Sequence, residues 1–391
     1  MSAAIDEQRI VNLLSDLVAI PSVNPVYRKE GEPEGHYGEA RVAEFIADTL
    51  RRLGLDVEVV PVLPGRPNVI ARLEGRSRKG GILFQTHMDT VHAGGMSVDP
   101  FRAAVRDGRL YGRGAVDAKA QLAVMMEALR LLAGPQRPEC DVTFVAAVDE
   151  EYNYRGVSHM IRSGLRADGG VVGEPTALRV VRACKGCVRW ETHILGRAAH
   201  SSRPHEGENA IAVAADFLGY LRSEVEPELR ARVHPLVGPP TLTPTMISGG
   251  AGPNIVPDRC VVVFDRRVPP HETPEAALAE FEAAVQRYCS RTGARIEVRP
   301  PFTRDIPMEV PESERIVSIA RRATEKILGY DSAIGVTFSC DATKMTEAGI
   351  PTVVFGPGDI AQAHAADEHV EIKQLGAAVR VLVEIARTFP A

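Results

Sequence analysis

Three consecutive carboxylates, Asp149-Glu150-Glu151, close the apolar run Val142-Thr143-Phe144-Val145-Ala146-Ala147-Val148. Like charges repel, and the end of a buried strand offers them little water. A metal ion is the simplest compensation. Four further segments end or follow apolar runs with ligand-type side chains. Thr86-His87-Met88-Asp89 follows Ile82-Leu83-Phe84. In a strand His87 and Asp89 share a face, and a carboxylate beside a ligating imidazole fixes its tautomer. Gly112-Arg113-Gly114-Ala115-Val116-Asp117 precedes a helical run, where an Asp equally serves as an N-cap. Gly173-Glu174-Pro175-Thr176 follows a short strand, although a Pro turn with an exposed Glu has the same composition. Gly356-Pro357-Gly358 leads to His364 after Thr352-Val353-Val354-Phe355. Imidazole and carboxylate donors suit zinc and leave room for water.

These segments need a frame. Apolar periodicity predicts helices at 5–19, 39–53, 119–132 and 155–163. Strands are predicted at 57–62, 68–73, 81–86, 142–148 and 170–172, with an Asp107-Gly108 hairpin. Alternating strands and helices predict an α/β sheet with helices on both faces. After Pro175 the pattern changes. A long strand at 178–196, a helix at 208–223, strands at 241–248 and 259–267, a helix at 273–289 and a strand at 295–299 read β-α-β-β-α-β, a ferredoxin-like unit. Helices at 313–328 and 373–388 and a strand at 351–355 then resume the first pattern. The expected organisation is an α/β domain (1–177 and 300–391) interrupted by an α+β domain at 178–299.

The 391 residues include 46 basic and 51 acidic side chains, a net charge of −5. That balance argues against a nucleic-acid partner. No apolar run approaches the roughly 18 residues of a membrane span. Residues 1–9 lack a basic segment followed by an apolar one, so no secretory signal is expected. Sparse cysteines at 140, 184, 187, 260, 289 and 340 predict reduced thiols and a cytoplasmic protein. Cys184 and Cys187 form a C-x-x-C without a second pair and read as small apolar strand residues.

Together the five segments, in this order, resemble the zinc-dependent M20 metallopeptidase and deacylase family over essentially the whole chain. The run 356–364, Gly-Pro-Gly-Asp-Ile-Ala-Gln-Ala-His, most resembles its acetylornithine deacetylase and succinyl-diaminopimelate desuccinylase branch. The fold implied is a mixed-sheet zinc-exopeptidase-like catalytic domain with a ferredoxin-like lid or dimerisation domain. The resemblance implies two zinc ions per subunit, with cobalt or manganese as substitutes. His87 and Glu174 would hold one ion, Glu151 and His364 the other, and Asp117 both. Glu150 would be the general base and Asp89 would orient His87. Within Gly196-Arg197-Ala198-Ala199-His200-Ser201-Ser202, His200 would stabilise the oxyanion, often across a homodimer. Asn254 and Arg267 match substrate-binding positions, and an Arg fork suits a carboxylate. The implied reaction is hydrolysis of an N-acyl amino acid. A dipeptidase or carboxypeptidase acting on short peptides is the alternative, followed by a non-catalytic metal-binding relative. Three positions depart from the family pattern: Ala118-Lys119-Ala120, Ser339-Cys340 before Asp341, and Ala365-Ala366.

Overall fold

The computed structural model describes residues 5–77 and 80–390. The first four residues of the N-terminal stretch considered above therefore lie outside the described residues. The chain divides into two compact units, one of residues up to 182, 310–334 and 340 onward, the other of residues 183–309 and 335–339.

The first unit opens with helices α1 (Glu7–Val18) and α2 (Ala40–Arg51). Asp6 caps α1 by accepting the Arg9 N–H, and Ile10, Leu14 and Leu17 bury one face. Strands β1 (Asp56–Leu63), β2 (Arg66–Leu73) and β3 (Gly81–His87) follow, then the hairpin β4 (Ala104–Arg106) and β5 (Arg109–Tyr111). Helix α3 (Lys119–Leu132) is buried on nearly every side. It has apolar residues on all faces because it packs against β3, α1 and the final helix. Next come β6 (Asp141–Ala147), α4 (Arg155–Arg162), β7 (Gly169–Val172) and β8 (Val180–Cys184).

The second unit contains β9 (Gly186–Leu195), α5 (Ala210–Tyr220), α6 (Glu226–Arg230), β10 (Thr241–Gly249), β11 (Arg259–Val268), α7 (Pro274–Thr292), β12 (Arg295–Val298), β13 (Thr303–Asp305) and β14 (Met308–Glu309). Its sheet order is β10-β11-β9-β12, with every neighbouring pair antiparallel. This is the ferredoxin-like arrangement. Trp190, Phe217, Phe264 and Phe281 form its aromatic core, with Trp190 and Phe281 centroids 4.7 Å apart. The chain then adds α8 (Arg315–Leu328), β15 (Ala333–Val336), α9 (Ala342–Glu347), β16 (Thr352–Val354), β17 (His369–Glu371) and α10 (Ile372–Thr388).

In the first unit the sheet runs β1-β2-β6-β3-β7-β16-β8. The four central strands β6, β3, β7 and β16 are parallel, which brings their carboxyl ends to one edge. Ligands of α/β sheets bind at that edge. The register pairs His87 with Ala147 and Gln85 with Val172, so three of the ligand-bearing segments leave the sheet side by side. The fold class is the mixed α/β sheet expected from sequence.

Several elements differ from expectation. The long strand at 178–196 is two strands, because the chain breaks at Lys185 between β8 and β9. A Cβ on Gly186 would lie 2.3 Å from the Asp305 carbonyl oxygen, so the backbones approach too closely for any side chain there. The division between units accordingly falls after Arg182 and after Glu309, where the sequence reading has 177 and 299. The helix at 208–223 continues through a π turn, Leu221–Val225, into α6. Strand β17 was not expected. It pairs with β5, and that pairing brings the segment after His364 beside the segment leading to Asp117.

Candidate metal centre

His87 ends β3 and is buried. Its Nδ1–H donates to the Asp89 main-chain carbonyl at 2.9 Å, whereas the Asp89 carboxylate stands 3.6 Å away. The carbonyl thus fixes the tautomer and leaves Nε2 as the outward nitrogen. Asp89 thus faces Nδ1 of His87 with its carbonyl and, at longer range, its carboxylate. The carboxylate also accepts the N–H groups of Glu150 and Glu151, at 3.1 and 3.2 Å.

Nε2 of His87 faces Asp117 Oδ1 at 3.0 Å and Glu174 Oε1 at 3.9 Å. The other Asp117 oxygen, Oδ2, faces His364 Nε2 at 3.3 Å. His364 Nε2 is also 3.3 Å from a Glu151 carboxylate oxygen. Asp117 does not cap α3; the N-cap position is Ala118, which makes no side-chain cap bond. Its two oxygens are turned to two different histidines. Donor atoms of His87, Asp117 and Glu151 lie within 4.8 Å of one another, as do those of His87, Glu150 and Glu174. All five expected ligand residues and Glu150 therefore meet at one place.

Local backbone geometry serves this convergence. Asp149 and His364 adopt positive φ, 66° and 62°, a region uncommon for residues other than glycine. Gly358, at φ 84°, has no room for a side chain, since a Cβ would lie 2.1 Å from Val116 Cγ2. The Glu368 carboxylate accepts the N–H groups of Val116 and Asp117 at 3.0 and 3.2 Å, and Arg113 is its buried counter-ion.

The electrostatics are those of crowded buried carboxylates. Burial, reinforced by neighbouring carboxylates, holds Glu150 and Glu174 well above the usual carboxylate range. Burial and the Asp117 charge push Glu151 up to about 7. Burial would raise Asp117 too, but hydrogen bonds from His364 and His87 outweigh it and hold Asp117 low. Hydrogen bonds to Asp117 and Glu151 push His364 up to about 10. A divalent cation bound by these carboxylates and imidazoles would displace the protons they hold. The donor set is nitrogen and oxygen only, which fits zinc.

Asp341, at the start of α9, adds a further buried carboxylate. Gln85 Nε2 donates to it, and its charge acts on Glu150 and Glu174. In the second unit, His200 is exposed, and its Nδ1 accepts the Ser202 N–H at 3.2 Å. The proton of the neutral ring is then on Nε2, an available donor geometry. Asn254 neighbours it, its carbonyl accepting the Ser201 N–H at 2.9 Å. Arg267 lies on β11 with Nε 2.8 Å from Asp265 Oδ1. Cys184 and Cys187 are buried free thiols, as the sequence reading expects.

Parallel strands thus deliver imidazole and carboxylate donors to one edge, a donor set that suits a divalent metal ion. The family model described as peptidase family M20/M25/M40 matches residues 83–388, and the chain belongs to that family. Among solved structures, a tripeptidase from Staphylococcus aureus is 24% identical with a TM-score of 0.80, covering 98% of both chains. Aminopeptidase PepT from Bacillus cereus is 24% identical with a TM-score of 0.78, again covering 98% of each. A dinuclear metal binding peptidase of the M20 family from Bacillus subtilis is 18% identical with a TM-score of 0.71 and 97% coverage of each. At these identities the likeness is one of fold.

Proposed function

We propose that the protein hydrolyses the amide bond of an N-acyl amino acid, of the deacetylase or desuccinylase type, at a two-zinc centre. The observation that carries the two-metal part of this reading is Asp117, with Oδ1 3.0 Å from His87 and Oδ2 3.3 Å from His364. A carboxylate so placed joins two ligand sets. His87 and Glu174 would hold one ion, and Glu151 and His364 the other. Two zinc ions supply, when bound, polarisation of the scissile carbonyl and acidification of the attacking water. Glu150 takes the proton from that water on its carboxylate and passes it to the departing amine. His200 donates from Nε2 to the developing oxyanion. Asn254 and Arg267 bind the substrate carboxylate. Asp265 already engages Nε and Nη2 of Arg267, so the carboxylate would meet the Nη1 side.

A second reading, hydrolysis of short peptides, draws support from the tripeptidase and aminopeptidase of similar fold. Both reactions break the same bond and differ in the acyl side. The test is steady-state kinetics with N-acetyl-ornithine, N-succinyl-diaminopimelate and a panel of di- and tripeptides on the zinc-loaded protein. Higher kcat/KM for an N-acyl amino acid supports the first reading, and a clear preference for peptides replaces it with the second.

We also propose a homodimer through the second unit. Strand β10 is an edge of its sheet, and Met246 and Ile247 on it are 68% and 59% exposed. Such an edge is prone to pair with another strand. Sedimentation gives the expected dimer mass or refutes it. Six free cysteines, five of them buried, support a reducing, cytoplasmic location. Among the described residues no helix is long and apolar enough to cross a membrane.

A further inference from the structure

The acidic triplet contains one residue that the proposed chemistry leaves idle. Asp149 is fully buried. Its carboxylate accepts hydrogen bonds from Asn24 Nδ2 at 3.0 Å, Arg66 Nη2 at 3.1 Å and Arg155 Nε at 2.6 Å. Asn24 Nδ2 also donates to Asp89 Oδ2 at 2.8 Å. One amide group therefore ties together two buried carboxylates that would otherwise repel. Asp89 in turn holds the Glu150 and Glu151 N–H groups. Arg66 makes a bidentate pair with Glu39, whose Oε1 accepts the Asp149 N–H at 3.2 Å. On the far side of the turn, the Tyr27 hydroxyl donates to the Glu151 carbonyl at 3.3 Å. Asn24 is itself fixed, its N–H on the Thr90 carbonyl and its Oδ1 on the Val26 N–H.

We infer that Asp149 is a positioning residue: gripped by Arg66 and Arg155 and cross-linked through Asn24 to Asp89, it locks the left-handed turn that sends the Glu150 and Glu151 carboxylates to separate tasks. The inference rests on the roles proposed above for those two glutamates. Without the grip, the peptide units of Glu150 and Glu151 lose a fixed acceptor, and Glu151 is no longer held against His364. The ion assigned to Glu151 and His364 should weaken, while the one assigned to His87 and Glu174 should not.

Two variants isolate the grip. Asp149→Asn keeps the side-chain shape and the tolerance of positive φ, but sets an amide nitrogen against donors. Asn24→Ser keeps an oxygen to cap the Val26 N–H and removes both cross-linking donors. Zinc titration calorimetry and residue-resolved hydrogen exchange are run on the full chain and on both variants. The expected result is a second zinc equivalent bound about 10–100-fold more weakly with the first unchanged, the usual effect of losing an outer-shell partner. The Glu150 and Glu151 amides should exchange at least about tenfold faster, with β6 protection intact. Unchanged exchange at those two amides and unchanged affinity of both equivalents in either folded variant would overturn the inference. Faster exchange in the variants of a chain whose wild type takes up no zinc would support the grip and sink the metal reading instead.

Discussion

Asp149 and Glu150 are neighbours in the chain, yet their carboxylates are balanced by opposite means. Asp149 is held by fixed partners, namely Arg66, Arg155 and the Asn24 amide, and Arg66 also pairs with Glu39. Glu150, Glu151 and Glu174 face other carboxylates, and the charges that favour their ionised forms come from His87 and His364. An arginine keeps its own charge across the whole working pH range. An imidazole can give up its proton and bind a metal instead. One cluster is therefore built to stay as folded, and the other to exchange protons for cations.

The largest effect is expected at Asp117, the residue proposed to serve both ligand sets. Asp117→Ala should strip both ions, read by elemental analysis, and lower activity by more than about 10⁴-fold, beyond the loss expected from a missing general base alone. Full metal occupancy in that variant would deny the residue its bridging place. Glu150→Ala should keep both ions and lose about 10²–10⁴-fold in kcat. A loss below tenfold would remove Glu150 from the proton transfer.

The fixed cluster should respond in stability. Arg66→Met leaves Glu39 and Asp149 buried beside a lost cation, a change that costs about 3–5 kcal/mol. Denaturant unfolding of the metal-free chain measures it. A loss below about 1 kcal/mol, the usual worth of an exposed ion pair, would make this network no more than surface electrostatics.

The exchangeable cluster should respond to pH. In the metal-free chain Glu151 titrates at about 7 and His364 at about 10, both above their ordinary values. Each therefore contributes stability below its unfolded pKa that is lost as pH rises through the folded one. Metal-free stability should fall from about pH 4.5 to 10 on account of these two groups, and zinc uptake should release protons. Zinc affinity should strengthen toward high pH by up to about tenfold per unit for each proton released. Calorimetry in buffers of different ionisation enthalpy counts those protons, and zero release would contradict the electrostatics described.

The candidate ligands were legible in the sequence because each ends a strand or follows a glycine turn, and strand register then aligns those on the sheet. The partners that hold them were not. Asn24 lies 65 positions from Asp89 and 125 from Asp149, so no local spacing relates them. Arg66, Glu39 and Glu368 have the composition of ordinary surface charges and become informative only when buried. The Asp89 carboxylate was expected on His87 because strand periodicity puts both on one face. The strand ends at His87, the chain turns, and the Asp89 carbonyl comes closer to the ring than the carboxylate does. The break at Lys185 was invisible because β8 and β9 share one alternating pattern while joining different sheets.

Asp117 is proposed to join two metal sites. Its most direct test is anomalous X-ray scattering at the zinc edge from zinc-soaked crystals of the protein. Two peaks per chain are expected, one beside His87 and Glu174, the other beside Glu151 and His364, with an Asp117 oxygen on each. A single peak, or two peaks that do not share Asp117, would contradict it.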